Sequence, residues 1–94
     1  MTKPICQFRH YLAGNEPNSV LAKRNLASIC QEQFDGKYEL TEINVLENAE
    51  AAYHDSIFAS PTLVAEIDDR RVVIVGNLND RERACMALAI VVCS

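Results

Sequence analysis

The residues of this chain best suited to chemistry are its cysteines, because a thiolate can act as a nucleophile, a redox group or a metal ligand. The sequence contains four of them, Cys6, Cys30, Cys85 and Cys93. No two form a CxxC pair, so their spacing predicts neither a zinc site nor a redox dithiol. We therefore expect reduced, buried thiols that serve packing.

The histidines are the next candidates, as metal ligands or general bases. Cys6 and His10 share one face of a predicted strand, but four residues at about 3.3 Å each put them roughly 13 Å apart, too far to bind one metal. His54 stands beside Asp55, a pair typical of a solvated surface group. The loop at Gly14 lacks the Gly-Lys-Ser/Thr ending of a phosphate-binding loop. We predict no enzyme activity, no metal and no cofactor.

The elements that position these side chains can be read from hydrophobic periodicity and turn residues. Strands are predicted over residues 5–12, 38–45 and 72–75, with another entered through residues 60–64, and helices are predicted over residues 18–34, 47–53 and 79–92. Asn18 or Ser19 is the expected cap of the first helix, and Asn79 with Glu82 has the spacing of a capping box.

The order of these elements is βαβαββα. A right-handed crossover makes the second strand parallel to the first, and a hairpin across residues 68–71 makes the fourth strand antiparallel to the third. A proline, Pro61, stands at the start of the third strand. This order predicts an α/β sandwich of the thioredoxin-like class, in which this proline is typically cis.

The C-terminal segment has two competing local preferences. Residues 84–93 are apolar on every side, which predicts a deeply buried helix or one at a subunit interface. Residues 90–92, Ile-Val-Val, also suit a strand. A change of fold in this segment is therefore conceivable.

Length and charge exclude several classes of function. The chain has 94 residues, the size of one domain over residues 1–94, and its net charge of −4 disfavours nucleic-acid binding. Its longest uncharged apolar run, residues 84–93, is half the roughly 20 residues of a membrane span. With no signal-peptide pattern at the N-terminus, we expect a cytoplasmic protein.

Four sequence blocks resemble the KaiB family of circadian clock proteins. They are YLAGNEPNS at 11–19, NVLEN at 44–48, ASPTL at 59–63 and VGNLND at 75–80. The resemblance extends over residues 5–92 without gaps. It implies a non-enzymatic adaptor in circadian or stress regulation that binds a KaiC-like hexameric ATPase or a signalling kinase. Some members of the family also capture KaiA and displace a histidine kinase.

The resemblance also implies metamorphism. Residues 1–49 would stay fixed, while residues 50–94 would exchange between a tetrameric ground fold and a monomeric thioredoxin-like fold that binds partners. A homo-oligomer, dimer or tetramer, is expected in at least one state. Clock members carry Gly and Asp where this chain has Ala87 and Ala89, and alanine favours helix, so we expect a bias towards the thioredoxin-like state.

Residue roles fall into two groups. The expected partner contacts are Cys6, Glu39, Thr41, Ser56 and Ala65, together with Arg70 and Arg71, which stand at the tip of the predicted hairpin and belong to a residue type that is enriched at interface hot spots. The expected determinants of the fold change are Pro61, Gly76, Asn77, Ala87, Ala89 and Val92. Cys6 and Val92 stand where clock members have tyrosines, and the triple-proline turn of those members is replaced here by residues 68–70.

Two other functions remain open. A divergent paralogue could mainly self-associate through its apolar C-terminal segment. A thiol oxidoreductase is the third alternative, because the predicted fold is that of thioredoxin although the CxxC motif is absent.

Overall fold

The computed structural model describes the backbone of residues 5–92 and the side chains of residues 5–89. Cys93 therefore lies outside the described residues. The strands are β1 (Cys6–Leu12), β2 (Tyr38–Asn44), β3 (Thr62–Ile67) and β4 (Arg70–Val75). The helices are α1 (Pro17–Gln33), α2 (Ala49–His54) and α3 (Arg81–Val92). The predicted order of strands and helices is confirmed.

The four strands form one sheet in the order β2-β1-β3-β4. β1 and β2 are parallel, as the crossover through α1 predicts. β3 is antiparallel to both β1 and β4. The β3–β4 hairpin turns through Asp68, whose φ is +55°, and Asp69.

The main core lies between one face of the sheet and helices α1 and α3. It includes Phe8 of β1, Leu63 of β3, Leu26 of α1 and Leu88 of α3. The other face of the sheet meets α2 in a smaller cluster of four buried residues: Tyr11, Ala52, Ile57 and Val64. Because α2 has only 6 residues, it covers only part of this second face.

Two of the predicted helix caps are wrong. Residue Glu16 precedes α1 without a side-chain cap bond, while the Ser19 hydroxyl is buried and accepts a hydrogen bond from the Ala13 N–H at 2.9 Å. In α3 the carboxylate of Asp80, rather than Asn79, accepts the N–H of Arg83 at 3.2 Å. In α1 the Ser19 hydroxyl is therefore used by the preceding loop, and in α3 the cap lies one residue after the predicted one.

The peptide bond between Ser60 and Pro61 is cis, as expected for this fold.

The last helix, α3, carries apolar residues on all sides, but the structure buries only one of its faces. Ala84 and Leu88 are buried, whereas Met86 is 66% exposed. Within the described residues, none of the helices has both the length and the apolarity needed to span a membrane.

Candidate protein-docking surface

The half of the second sheet face that α2 leaves uncovered is termed here the open face. Strand register aligns one row of side chains across it, and the alternation of strand side chains puts that row on the same face as Tyr11 and Val64. The row runs, from β2 to β4, through Glu39, Gln7, Glu66 and Arg71. The open face is therefore charged and carries both signs.

Charges on the open face are joined through Asp55, the residue that follows α2. The Arg9 Nε donates to Asp55 Oδ2 at 2.7 Å, and the Tyr11 hydroxyl donates to the same oxygen at 2.8 Å. Arg71 donates to Asp55 Oδ1 at 3.1 Å and to its carbonyl oxygen at 2.9 Å. Arg9 also pairs with Glu66. These five residues are called the Asp55 cluster.

Contacts within the Asp55 cluster shift the pKa values of Asp55, Arg9 and Tyr11. The hydrogen bond from Arg9 lowers the pKa of Asp55 below its usual value of 3.8. The Asp55 hydrogen bond in turn raises the pKa of Arg9. Burial, followed by the bond to Asp55, raises the pKa of Tyr11. The Asp55 carboxylate, the Tyr11 phenol and the Arg9 guanidinium therefore keep one charge state near neutral pH, which is typical of a structural ion-pair network and not of a general acid or base.

An apolar cleft of about 520 Å³ lies at the side of α2 and is called the α2 cleft. Two aromatic side chains line it and face solvent, Tyr53 with 72% and Phe58 with 83% of the residue exposed. Phe58 also lines a second cleft of about 250 Å³ that reaches Val73 and Val75 of β4. Exposed aromatic groups next to paired arginines are the composition typical of protein–protein interfaces.

The structure positions the predicted partner contacts unequally. Glu39 and Thr41 of β2 and Arg71 of β4 lie on the open face. Ser56 is exposed in the turn after α2, with φ of +60°, and lines the cleft beside Phe58. These four residues thus border one continuous region.

The other three predicted contacts lie elsewhere. Cys6 and Ala65 belong to the core beneath α1 and α3, so neither side chain can contact a partner in this fold. Arg70 points to the opposite face of β4 from Arg71, and its Nη1 is buried without a hydrogen-bond partner among the described residues. The sequence did not indicate which face of each strand is covered by helices, so buried and exposed positions were predicted together as partner contacts.

The residues assigned to the fold change gather around the β4–α3 connection. Gly76 has a φ of +115°, a conformation that L side chains rarely adopt, and its N–H donates to the Pro61 carbonyl at 2.9 Å. The side chain of Asn77 bonds to Asn18 of α1 at 3.3 Å. Its carbonyl accepts a bond from Asn25 of α1 at 2.9 Å. The connection is thus tied directly to α1.

Within α3, Ala87 is half-buried and Ala89 is exposed. Val92 is the last helical residue, but its side chain lies outside the described residues. The role of all these residues in a fold change remains a prediction.

The cysteines are poor candidates for thiol chemistry. Cys6 and Cys30 are free and buried in the main core, and Cys85 is half-buried. Burial raises the pKa of Cys6, and burial together with nearby Cys6 raises that of Cys30 to about 11. Among the residues the structure describes, no group of His, Cys, Asp and Glu side chains could hold a metal ion.

Two features were not predicted from the sequence: the ion-pair network of Asp55 and the burial of His10. Asp55 was considered only as a neighbour of His54, which is solvent-exposed as predicted, yet Asp55 gathers partners from β1 and β4. His10 is fully buried with neither ring nitrogen hydrogen-bonded among the described residues, and burial lowers its pKa to about 4. Only the position of His10 on the inward face of β1 could have indicated its burial.

Solved structures with the same fold include thioredoxins. The model matches the N-terminal domain of Synechococcus elongatus SasA with a TM-score of 0.78 and 17% identity, covering 100% of this chain and 89% of that one. It matches Fasciola hepatica thioredoxin with a TM-score of 0.70 and 21% identity, covering 89% of this chain and 80% of that one. These similarities confirm the thioredoxin-like fold.

Sequence relatives are more specific. Residues 9–90 match the model of the KaiB domain family. The circadian clock oscillator protein KaiB of Microcystis aeruginosa is 44% identical over 78 residues, which cover 83% of this chain and 75% of that protein. Its counterpart in Acaryochloris marina is 45% identical, with the same coverage of both chains. On this evidence, the chain belongs to the KaiB family of circadian clock proteins.

Proposed function

We propose that this chain is a non-enzymatic cytoplasmic adaptor whose thioredoxin-like state docks onto a KaiC-like hexameric ATPase. The observation that carries the proposal is the α2 cleft with its two exposed aromatic side chains, Tyr53 and Phe58, next to the Asp55 cluster. An apolar centre with a charged rim is the usual anatomy of a transient protein interface. The names of the sequence relatives, circadian clock oscillator proteins, support a partner from the clock.

An adaptor role also agrees with the chemistry of the described residues. The Cys6 and Cys30 thiols have raised pKa values, so little reactive thiolate forms near neutral pH. Arg9 and Asp55 hold each other in the charged form, because their hydrogen bond raises the pKa of Arg9 and lowers that of Asp55. These features favour binding over catalysis. KaiA and a signalling histidine kinase are the further partners included in the proposal.

The proposal includes an exchange of fold in residues 50–94. The ion pair of Arg9 with Asp55 and the bonds of Asn77 to α1 join that segment to residues 1–49 in the present fold. An alternative packing would have to break these bonds. A homo-oligomeric ground state is part of the same proposal.

The decisive experiment is a binding titration of a purified KaiC-type ATPase against three forms of this chain. They are the unmodified protein, Phe58→Ser and the control Met86→Ser. Phe58 and Met86 are both large, apolar and exposed, but Met86 lies on α3, across the sheet from the α2 cleft. Loss of an anchor side chain typically weakens an interface by at least about 2 kcal/mol, or roughly 30-fold.

We expect Phe58→Ser to lower the affinity by roughly 30-fold or more and Met86→Ser to leave it unchanged. Equal affinities of all three forms would contradict the proposed surface. No binding by the unmodified chain would contradict the proposed partner. Circular dichroism of each form checks that the fold is retained.

A further inference from the structure

The chain segment that forms the α2 cleft is strongly acidic. Residues 38–69, which span β2, α2 and β3, contain eight Asp or Glu residues and neither Lys nor Arg. All the residues that line the α2 cleft belong to this segment, and none of them is an acid or a base. The charge that a bound molecule meets at this cleft is therefore set by the residues at its rim.

Three acids of this segment are balanced by cations from other elements. Asp55 and Glu66 both pair with Arg9 of β1, and Asp55 also binds a second arginine, on β4. Glu42 pairs with Lys23 of α1. The negative charge of these three carboxylates is thus compensated within the chain, and they leave little attraction for a further cation.

The two acids next to the α2 cleft lack such compensation. Glu47 lies in the chain between two residues that line the cleft, and Glu50 lies three positions before Tyr53 on α2, so these two side chains are neighbours on the helix. Both glutamates are exposed, and Glu50 pairs only with His54, at 3.6 Å. Among the described residues, no Lys or Arg lies within ion-pair distance of either glutamate. The rim beside α2 therefore carries two carboxylates that can attract a cation.

The aromatic walls of the cleft favour the same kind of ligand. Tyr53 and Phe58 are largely exposed, and an aromatic face attracts the cationic head of a lysine or arginine that lies over it. The cleft is also lined by the buried residues Ala52 and Ile57, which can contact an apolar side chain. A segment that combines an apolar anchor with a flanking lysine or arginine would therefore match the rim, the walls and the interior of the cleft together.

We propose that the occupant of the α2 cleft is a basic segment of a partner protein, with an apolar side chain in the cleft and lysine or arginine side chains against Glu47 and Glu50. This inference rests on the docking surface proposed above and adds the chemistry of the segment that docks there. Opposite charges across an interface speed encounter and exclude wrong partners. The same two carboxylates repel an acidic segment and oppose binding to an anionic lipid surface.

Titration of the full chain with two matched peptides, followed by NMR, tests the proposal. Both peptides are short, capped at each end and built on Leu-Phe-Leu, and one is flanked by lysines where the other is flanked by glutamates. We expect the lysine peptide to shift the amide signals of the cleft residues and to bind roughly tenfold more tightly than the glutamate peptide at low salt. The difference should shrink as salt is added, because exposed charges are screened.

Two double variants locate the charges that cause this preference. Glu47→Gln combined with Glu50→Gln removes both rim carboxylates, so the two peptides should then bind with affinities within about twofold of each other. Asp68→Asn combined with Asp69→Asn is the matched control. It removes the same charge from two exposed residues of the β3–β4 turn, at the other end of β3 from the cleft, and should keep the preference for the lysine peptide.

Three results would overturn the proposal: equal binding of both peptides, binding of neither peptide, or a preference that survives the loss of both rim carboxylates. The ATPase titration separates this proposal from the proposed function. Equal affinity of a KaiC-type ATPase for the unmodified chain and for the rim double variant would contradict the basic segment but not the adaptor role. A lysine peptide that binds in the cleft when the ATPase does not would support the basic segment and contradict only the KaiC-like partner.

Discussion

The Nε atom of Arg9 lies 2.7 Å from Oδ2 of Asp55 and joins the first strand to the end of the second helix. The two side chains are 27% and 16% exposed, so water weakens their attraction only in part. The pair connects residues 1–49 to residues 50–94. It therefore ties the second segment to the first in the thioredoxin-like packing.

Replacing Asp55 with Asn should destabilise this fold. The change leaves Arg71 and Arg9 without their shared carboxylate, and we expect the free energy of unfolding at pH 7 to fall by about 2 kcal/mol. Chemical denaturation measures the loss. Glu50→Gln is the control, because the Glu50–His54 pair is 3.6 Å apart and highly exposed, so its loss should have almost no effect.

The effect of Asp55→Asn should also depend on pH. Asp55 has a lowered pKa in the folded state, so its contribution is present above its ordinary pKa of 3.8 and is lost as pH falls through the folded value. The two proteins should therefore approach equal stability in strong acid. A difference in stability that stays constant down to pH 2 would contradict the charge argument.

His10 should make the fold sensitive to mild acid. Its pKa falls from 6.5 to about 4 on folding, so the folded state binds fewer protons and stability decreases as pH drops from 6.5 towards 4. We expect a loss of about 2 kcal/mol between pH 7.5 and pH 5. The charged groups around it are Lys23 of α1, which also lowers its pKa, and Glu42 of β2, which pairs with Lys23 at 3.6 Å.

Denaturation as a function of pH checks this for three proteins. His10→Leu should remove most of the loss, whereas His54→Gln should keep it, because His54 is exposed. If His10→Leu retains the full decrease between pH 6.5 and pH 5, another group is responsible.

Ala89→Gly should shift the proposed exchange of fold. Ala89 is exposed in α3, and glycine disfavours a helix interior by up to about 1 kcal/mol, a factor of roughly five in a population. The fraction with helical backbone shifts over 81–92 should therefore decrease. Ala27→Gly, at an exposed position of α1, is the control, and it should lower stability without changing that fraction. An equal response to both changes would argue against a specific role of Ala89.

The two core thiols, Cys6 and Cys30, should be unreactive in the folded chain. Iodoacetamide at pH 8 should modify half-buried Cys85 well before Cys6 and Cys30, whose raised pKa values and burial suppress the thiolate. Mass spectrometry of peptides measures the order. Two results would restore the oxidoreductase alternative. One is modification of Cys30 at the rate of a free thiol, and the other is insulin reduction by the unmodified chain that is lost in Cys30→Ser.

The strands and helices were predictable because their signals are local. The alternation over residues 5–12 and the Asp35–Gly36 stop after α1 need no distant contact to be interpreted. The caps were not predictable in the same way. Ser19 has the right chemistry for a cap, but a bond to Ala13 uses its hydroxyl instead.

The candidate surface was predictable in part. The predicted contacts included Thr41 and Arg71, which the fold brings to one face, and also Cys6 and Ala65, which the fold buries. The aromatic residue Phe58 carried no signal of its own. Its importance comes from its exposure beside two clefts, a property that no single residue type indicates.

Residue types at short spacing are enough to predict the order of elements, the parallel crossover, the proline before β3 and the resemblance to KaiB. Packing was needed to show that Asp55 joins Arg9 and Arg71, and that His10 is buried with neither ring nitrogen hydrogen-bonded among the described residues. Arg9 and Asp55 are separated by 46 positions. Contacts over such separations are set by how strands and helices pack, and local spacing carries no record of them.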